Sequence, residues 1–218
     1  MADASTIASL ATAAGTTILA VATYSSTRSA NRAARASELA LLAGLRPVLF
    51  NARQEDPPQK VGYVDSHWVL LRDGLAAVQE HEQRLYLSIP LRNVGSGLAV
   101  LHGAYIWPRR TLAKEDPAPI EDFRRLSRDL YVPAGDISFW QTAVREPEDA
   151  LYEPLRAAIA GGQGISVDIL YGDHEGGQRT ITRFYLGPRE QPDAEEPWLW
   201  VCTTSRHWNL DRDDPREH

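Results

Sequence analysis

The hydrophobic pattern of the chain changes once, close to residue 45. Residues 4–27 contain no charged side chain, and Arg28, Arg32 and Arg35 follow them closely. An uncharged run of about 20 residues with arginines on one flank is typical of a single membrane-spanning helix. The good helix formers that come next favour a continuation of the same helix. We therefore expect one long transmembrane and juxtamembrane helix over residues 1–45.

The flanking charges predict an orientation for such a span. Only Asp3 precedes the run and arginines follow it, so the positive-inside rule places the body of the chain in the cytoplasm. Two alternatives stay open. Residues 20–22 resemble the cleavage site of a signal peptide, although the usual basic segment before the apolar run is missing. Ala11 and Gly15 are four positions apart, a spacing that favours a helix that self-associates.

After Pro47 the pattern changes to short apolar segments separated by turn residues. Their period-two alternation and their β-branched and aromatic content are typical of antiparallel strands. We predict strands over residues 48–50, 61–64, 68–71, 84–92, 98–107, 136–144, 165–171, 179–186 and 198–204. The regular alternation of segment 84–92 indicates a half-buried strand, and Pro90 indicates an edge or a bulge within it.

Few helical signals interrupt these strands. We predict a short basic helix over residues 120–128 and a second helix over 148–160, which begins after Pro147 and ends at a pair of glycines. Strands at this spacing predict a mainly β fold, an immunoglobulin-like β-sandwich with short helical inserts over residues 46–210. The highly charged segment 211–218 is expected to be a disordered tail.

Four short patterns occur in order along this part of the chain. They are Arg46-Pro47, N-x-G-x-G-x-A within residues 91–99, Val-Pro-Ala-Gly at 132–135 and Y-x-D-x-x-G at 171–176. Together they resemble a large, loosely defined group of bacterial proteins, many of them actinobacterial, with one N-terminal membrane helix and a small β-sandwich. The resemblance covers nearly the whole chain and implies an architecture without an activity. The chain departs from the group in longer inserts at 109–129 and 145–164.

The physical role expected for these patterns is structural. Gly95 and Gly97 supply the backbone freedom of a tight connection between strands, and Asn93 is suited to hydrogen-bond turn backbone. Asp173 and Gly176 are expected to close a hairpin. Ser96, the nearest glycine-flanked serine, is expected to belong to the turn and not to act as a nucleophile.

The composition excludes several classes of function. With 23 Lys and Arg against 29 Asp and Glu, the net charge is -6, which argues against a nucleic-acid partner. The single cysteine, Cys202, excludes an internal disulfide and a cysteine-based zinc cluster, and its apolar segment indicates a buried, inert thiol.

Motifs that carry catalytic chemistry are missing from the sequence. It contains no GxxxxGK[ST], GxSxG, HExxH or CxxC pattern, and its six histidines share no ligand spacing. Residues 173–175 combine Asp, His and Glu, a set that we expect at a solvated hairpin tip and that would bind a metal only with ligands from distant parts of the chain. We therefore predict no catalytic residue, no cofactor and no metal.

Two groups of side chains suggest binding surfaces. One is a set of basic residues around an acidic loop, and it comprises Arg109, Arg110, Arg124, Arg125 and Arg128. It is compatible with anionic lipid or with an ordinary mixed-charge surface. The other is the pair Trp198 and Trp200, which share one face of a strand by period two and could line an aromatic groove.

These observations predict a non-enzymatic, single-pass protein of the cell membrane. Its cytoplasmic β domain would bind a partner protein or serve as a subunit of a membrane complex, and its helix would contact membrane lipid. One alternative is a ligand-sensing module that forms a homo-oligomer through Ala11 and Gly15. A further alternative, an enzyme, has no motif in its favour.

Overall fold

The structure is a computed structural model that describes residues 4–191 and 197–212, with side chains described from residue 13 onward. The chain forms two compact units, Met1–Gly44 and Leu45–His218. Two sequence predictions fall outside this description: one concerns the side chain of Ala11, and the other the tail residues 213–218.

The first unit is one helix, α1, which runs over Ala4–Gly44. Its hydroxyl side chains are satisfied locally: Thr17, Thr23 and Thr27 each donate to the carbonyl oxygen four residues earlier, at 2.8–2.9 Å. Large apolar side chains such as Ile18 and Val21 are 69% and 64% exposed. The helix thus presents apolar and hydroxyl groups together on its surface.

The predicted membrane span finds no support in this helix. Among the described residues, no helix combines the length and the apolar character that crossing a membrane requires. The physical reason lies in the composition of the run, where Ala, Thr, Ser and Gly separate a few large apolar residues.

The second unit contains eleven strands and one α-helix among its described residues. The strands are β1 Leu49–Asn51, β2 Gln59–Gly62, β3 Trp68–Leu71, β4 Leu75–His81, β5 Arg84–Asn93, β6 Ala99–Trp107, β7 Arg124–Val132, β8 Ile137–Val144, β9 Ile165–Gly172, β10 Thr180–Glu190 and β11 Trp198–Asn209. Helix α2 spans Tyr152–Ala160, and a single 3-10 turn spans Ile120–Asp122. The mainly β fold with a long N-terminal helix is therefore confirmed.

Nine of these strands form one antiparallel sheet, and β2 and β3 form a separate hairpin. The order along the main sheet is β8, β5, β4, β11, β10, β9, β6 and β7. Strand β5 pairs with β8 along one edge from Leu85 to Arg92, so β4 and then β1 share its other edge. The ends of the sheet are consequently β7 and β8, which are consecutive in the chain and joined by residues 133–136. The sheet curls until its two ends meet.

One hydrophobic core fills the inside of this curl. It includes the alternating residues Leu85, Leu87, Ile89 and Leu91 of β5, all of them fully buried. The opposite face of β5 is buried as well, because the β2–β3 hairpin packs over Tyr86. The expectation of a half-buried strand is therefore wrong, and the covering hairpin is the reason.

Pro90 lies in a central strand, where the sequence predicted an edge or a bulge. Its carbonyl oxygen accepts the amide of Ala52 at 3.0 Å, so its backbone polar groups point to the edge shared by β4 and β1. The pairing with β4 ends at Ser88 and the pairing with β1 begins at Leu91. The missing proline N–H thus falls at the break between two partner strands, where only the bond that it would return to Ala52 is lost, and the Ala52 carbonyl accepts Asn51 Nδ2 at 3.2 Å instead.

Both predicted inserts differ from the structure. Residues 120–128 form the 3-10 turn and the start of β7, because Arg124 and Arg125 pair with β6 and this pairing overrides a helical propensity. Helix α2 begins only at Tyr152, because residues before it form a turn in which Tyr152 donates its amide to Asp149 at 2.8 Å.

The turn after β5 is held by the buried amide of Asn93. Its Oδ1 accepts the amides of Val48 and Gly95 at 3.1 and 3.0 Å, and its Nδ2 donates to the carbonyls of Gly97 and Val132 at 2.7 and 3.0 Å. A side chain at Gly97 would collide with the backbone of the segment before β1. The predicted structural role of this pattern is confirmed.

We expect the substitution Asn93→Ala to lower the free energy of unfolding by about 3 kcal/mol, since it leaves buried carbonyl and amide groups without partners. Asn93→Asp should cost a similar amount, because a carboxylate cannot donate to the carbonyls of Gly97 and Val132. Urea unfolding followed by circular dichroism measures both effects. The control Ser96→Ala, in the same turn, should stay within about 0.5 kcal/mol of the wild type; equal losses for Ser96→Ala and Asn93→Ala would contradict this role.

Candidate binding cleft between β7 and β8

The two ends of the curled sheet lie side by side without closing it. Strand β7 pairs through its backbone with β6, and β8 pairs with β5, while no ladder joins β7 to β8 within the described residues. The two strands are held together at the turn 133–136, where the backbone of Asn93 exchanges hydrogen bonds with Gly135 and Asp136 at 3.0 Å each. Beyond this point the strands separate, and an opening remains that we call the β7–β8 cleft.

A large bulge in β7 shapes one wall of this cleft. Leu101 of β6 pairs with Leu130, and Gly103 pairs with Arg125, so residues 126–129 stand opposite the single residue His102. Such an excess of residues removes the bulged segment from the ladder and bends the strand. The bulge therefore leaves four consecutive residues of an edge strand without backbone partners in the sheet.

The cleft has a volume of about 550 Å³. Its floor is apolar and is formed by Ile106, Leu130 and Trp140, which belong to the main core. Its outer side is formed by the β2–β3 hairpin, with Trp68 on the rim, 58% exposed. A volume of this size is typical of sites that hold a ligand or a short peptide segment.

Two polar atoms in the wall of the cleft lack hydrogen-bond partners. Trp140 is 1% exposed, and its indole Nε1 finds no acceptor among the described residues. Next to it, Gln141 donates from Nε2 to the carbonyl of Gly62 at 3.3 Å, but its buried Oε1 finds no donor in the same described part of the chain. Buried unsatisfied groups cost about 1–3 kcal/mol each and are rare in native proteins. The two residues that carry these atoms line the cleft.

Four arginines line the same cleft, and two of them are already paired. Arg124 makes two hydrogen bonds to Asp149, at 2.5 and 2.6 Å, and this bonding lowers the pKa of Asp149. Arg145 donates to Asp65 at 3.0 Å. Arg125 and Arg128 are exposed, and no carboxylate of the described residues forms an ion pair with them. The rim thus carries positive charge on a chain whose net charge is -6.

The carboxylate of Asp65 organises one side of this rim. It is 13% exposed and accepts hydrogen bonds from the Tyr86 hydroxyl at 2.7 Å and from Arg145. Burial raises the pKa of Asp65, but the hydrogen bonds from Tyr86 and Arg145 outweigh burial, and the net pKa lies below its usual value. Asp65 is therefore ionised at neutral pH and holds Arg145 in place.

The structure divides the basic group that the sequence singled out. Arg124, Arg125 and Arg128 line the cleft, whereas Arg109 and Arg110 lie on the loop after β6. Arg109 pairs with Glu115 at 3.0 Å, and Arg110 lies over the ring of Tyr185. Sequence reasoning found the charge but not the cleft, because the unpaired edges of β7 and β8 have no local sequence signal.

The proposed aromatic groove at Trp198 and Trp200 is not formed. Trp200 is 3% exposed within the main core, and Trp198 packs against that core beside Gly162. Cys202, also buried, has its thiol pKa raised by burial. These side chains serve packing, and the exposed tryptophan is Trp68 at the cleft.

The hairpin tip between β9 and β10 is closed by Asp173, as predicted. Its Oδ1 accepts the amides of Glu175 and Gly177 at 3.0 and 2.9 Å, and Gly176 adopts a positive φ of 82°. Nε2 of His174 lies 3.2 Å from Oε1 of Glu175. Across the described residues, no group of three or more His, Cys, Asp or Glu side chains is placed to hold a metal ion.

A buried ion pair between Asp168 and Arg183 was missed by sequence reasoning. Both side chains are fully buried, with Nε and Nη2 of Arg183 donating to the carboxylate at 2.6 and 2.8 Å. The remaining guanidinium N–H groups donate to the carbonyls of Leu112, Glu115 and Asp116. The pair therefore fastens the loop after β6 to the sheet, and its guanidinium N–H groups are all engaged in these bonds. A carboxylate and an arginine inside otherwise apolar strands were the available signal.

Comparisons with known proteins add no assignment: no family model, curated protein or solved structure matches this chain. The resemblance to actinobacterial membrane proteins stays a prediction. The cleft is therefore interpreted from its own geometry and chemistry.

We expect Arg183→Met to destabilise the protein by about 3–5 kcal/mol, because the buried carboxylate of Asp168 loses its charged partner and keeps only the Trp107 indole as a side-chain donor. Three loop carbonyls also each lose a hydrogen bond from Arg183. Asp168→Leu should cost a comparable amount. The double variant should lose less than the sum of the two, since no unpaired charge remains inside. Urea unfolding of the wild type, the two single variants and the double variant measures the coupling energy between the two side chains. Strictly additive losses of stability would contradict a direct ion pair.

The stability of the native state should fall as the pH falls below about 4, partly through Asp65. The pKa of Asp65 is lower in the folded than in the unfolded chain, so its contribution is present above the unfolded value and is lost as the pH drops through the folded value. Asp65→Asn should flatten the dependence of the urea midpoint on pH between about 2 and 5. A profile parallel to that of the wild type throughout this range would contradict the assignment.

Proposed function

We propose that this chain is a non-enzymatic binding protein whose β domain holds part of a partner protein in the β7–β8 cleft. The observation that carries this proposal is an open cleft with an apolar floor between two unpaired sheet edges, lined by Trp140 and Gln141, which each carry an unsatisfied polar atom. An occupant that satisfies both atoms would remove their energetic cost, which favours binding. The unpaired arginines on the rim add charge selectivity.

The proposal assigns no reaction to the site. The thiol of Cys202 is buried, and Ser96 belongs to the Asn93 turn. The immunoglobulin-like sandwich remains a proposal as well. Among the described residues, the backbone pairing divides the main sheet into two groups, β1, β4, β5 and β8 on one side and the other five strands on the other. Only the pairs Leu75–Val201 and Ala76–Trp200 join these two groups within that part of the chain. A sheet so nearly divided in two supports a sandwich-like arrangement.

A photo-crosslinking amino acid introduced at Ser127 in the full chain tests the proposed site. Ser127 is exposed and lies in the bulge that lines the cleft. In cells, we expect a covalent adduct of protein size that is absent when the crosslinker replaces the exposed Val94, outside the cleft. An adduct with only the mass of a small molecule would favour the ligand-sensing alternative, and no adduct specific to Ser127 would contradict the proposal.

We propose, as a second role, that helix α1 brings copies of the chain together. A methyl group added at Gly15 would meet no other atom within 4 Å, and Ile18, Leu19 and Val21 are exposed, so the helix offers a small-residue face beside apolar side chains. Sedimentation of the full chain should show an oligomer that is lost in Gly15→Leu and kept in Thr27→Leu. A monomer in every case would remove this role.

Location at the cell membrane, with the β domain in the cytoplasm, stays a prediction from the uncharged run and its flanking arginines. Membrane fractionation with an alkaline carbonate wash tests it on the full chain and on a chain that begins at Leu45. Retention of the full chain alone in the pellet would support an anchor. Release of the full chain by the wash would contradict it.

A further inference from the structure

We propose that the occupant of the β7–β8 cleft is an extended acidic segment of a partner chain, which adds as a strand between β7 and β8. This inference rests on the proposed function and specifies its ligand. It follows from the backbone, polar side chains and charges that face the cleft.

The backbone is the first reason. Both walls of the cleft are edge strands, and the outer edge of such a strand directs an N–H and a C=O outward at every second residue. Because residues 133–136 join β7 directly to β8, the two free edges face one another. An extended segment inserted between them gains backbone partners on both sides, which completes the curled sheet.

The unsatisfied side-chain atoms are the second reason. Trp140 Nε1 needs an acceptor, and Gln141 Oε1 needs a donor. A peptide supplies donors and acceptors, whereas a carboxylate ion supplies acceptors alone and would leave Gln141 unpaired. The pair therefore favours a peptide over a carboxylate ion.

Charge and shape decide the side chains of that segment. Arg125 and Arg128 are exposed on the rim and favour Asp or Glu, while the floor at Ile106 and Leu130 favours an apolar side chain. Side chains of a strand alternate between two faces, so acidic and apolar residues should alternate. At about 3.3 Å per residue, the part of β8 that lines the cleft, residues 140–143, matches a segment of roughly four residues.

The test uses a five-residue peptide with blocked ends in which Glu and Val alternate. Its binding to the full chain is measured by calorimetry and by the NMR signal of the Trp140 indole N–H. The signal is assigned with Trp140→Phe. We expect saturable binding with a downfield shift of this resonance, since the indole gains an acceptor, and hydrogen-exchange protection of the amides of residues 126–129.

Charge specificity is tested with Arg125→Glu/Arg128→Glu, which should weaken binding by about tenfold or more. The matched control Arg72→Glu/Arg189→Glu changes the net charge equally at exposed positions outside the cleft, and it should bind within about twofold of the wild type. Equal weakening by both double variants would overturn the assignment of the arginines and with it the acidic partner.

Strand addition is tested with the same peptide after N-methylation at alternate residues. The alternative that the cleft binds a free anion is tested with inorganic phosphate and with hexanoate. Loss of binding on N-methylation supports the proposal. Equal binding of the methylated peptide or of either anion, or no binding of the Glu–Val peptide at about 1 mM, would overturn it. If the Ser127 crosslink to a protein persists while the peptide fails, the strand inference is wrong and the proposed binding function stands.

Discussion

The β domain depends on one buried amide, that of Asn93. Its side chain joins the entry to β1, the turn after β5 and the end of β7, and its backbone holds the turn between β7 and β8. These segments are distant in sequence, and the amide is the group that brings them to one point. A side chain with a donor and an acceptor in fixed positions is required there, because the groups that it satisfies are buried and of both kinds. The two ends of the sheet meet where Asn93 holds them.

The cleft follows from the same constraint. Near Asn93 the strands β7 and β8 are close, and farther along the bulge 126–129 carries β7 out of its ladder. The sheet thus stays open over the part that Asn93 does not reach. The opening contains exposed edges, an indole and an amide without partners, and unpaired arginines, which together have the chemistry to hold an acidic extended chain. The proposed binding function is in this sense a consequence of incomplete closure.

The ion pair of Asp168 on β9 and Arg183 on β10 has a structural role outside the cleft. It holds the loop that follows β6 against β9 and β10, with the rings of Trp107 and Trp208 near the guanidinium at 5.9 and 4.8 Å. Every N–H of the arginine has an acceptor, so the pair is satisfied and does not compete for a ligand. The cleft differs in that Arg125 and Arg128 on its rim are exposed and form no ion pair with a described carboxylate.

The sequence by itself determined most of the strands, the long helix and the role of the Asn93 turn, because these depend on local alternation, composition and turn chemistry. It misassigned β7, since a basic segment with helical propensity becomes a strand only when β6 offers it a ladder. Its expectation of a membrane span came from missing charge, although small and hydroxyl residues leave the helix short of the required apolar character. The curl of the sheet, the Asp168–Arg183 pair and the β7–β8 cleft were decided only by the tertiary structure. Each joins residues far apart in the chain, and no local pattern indicates which strand edges remain unpaired.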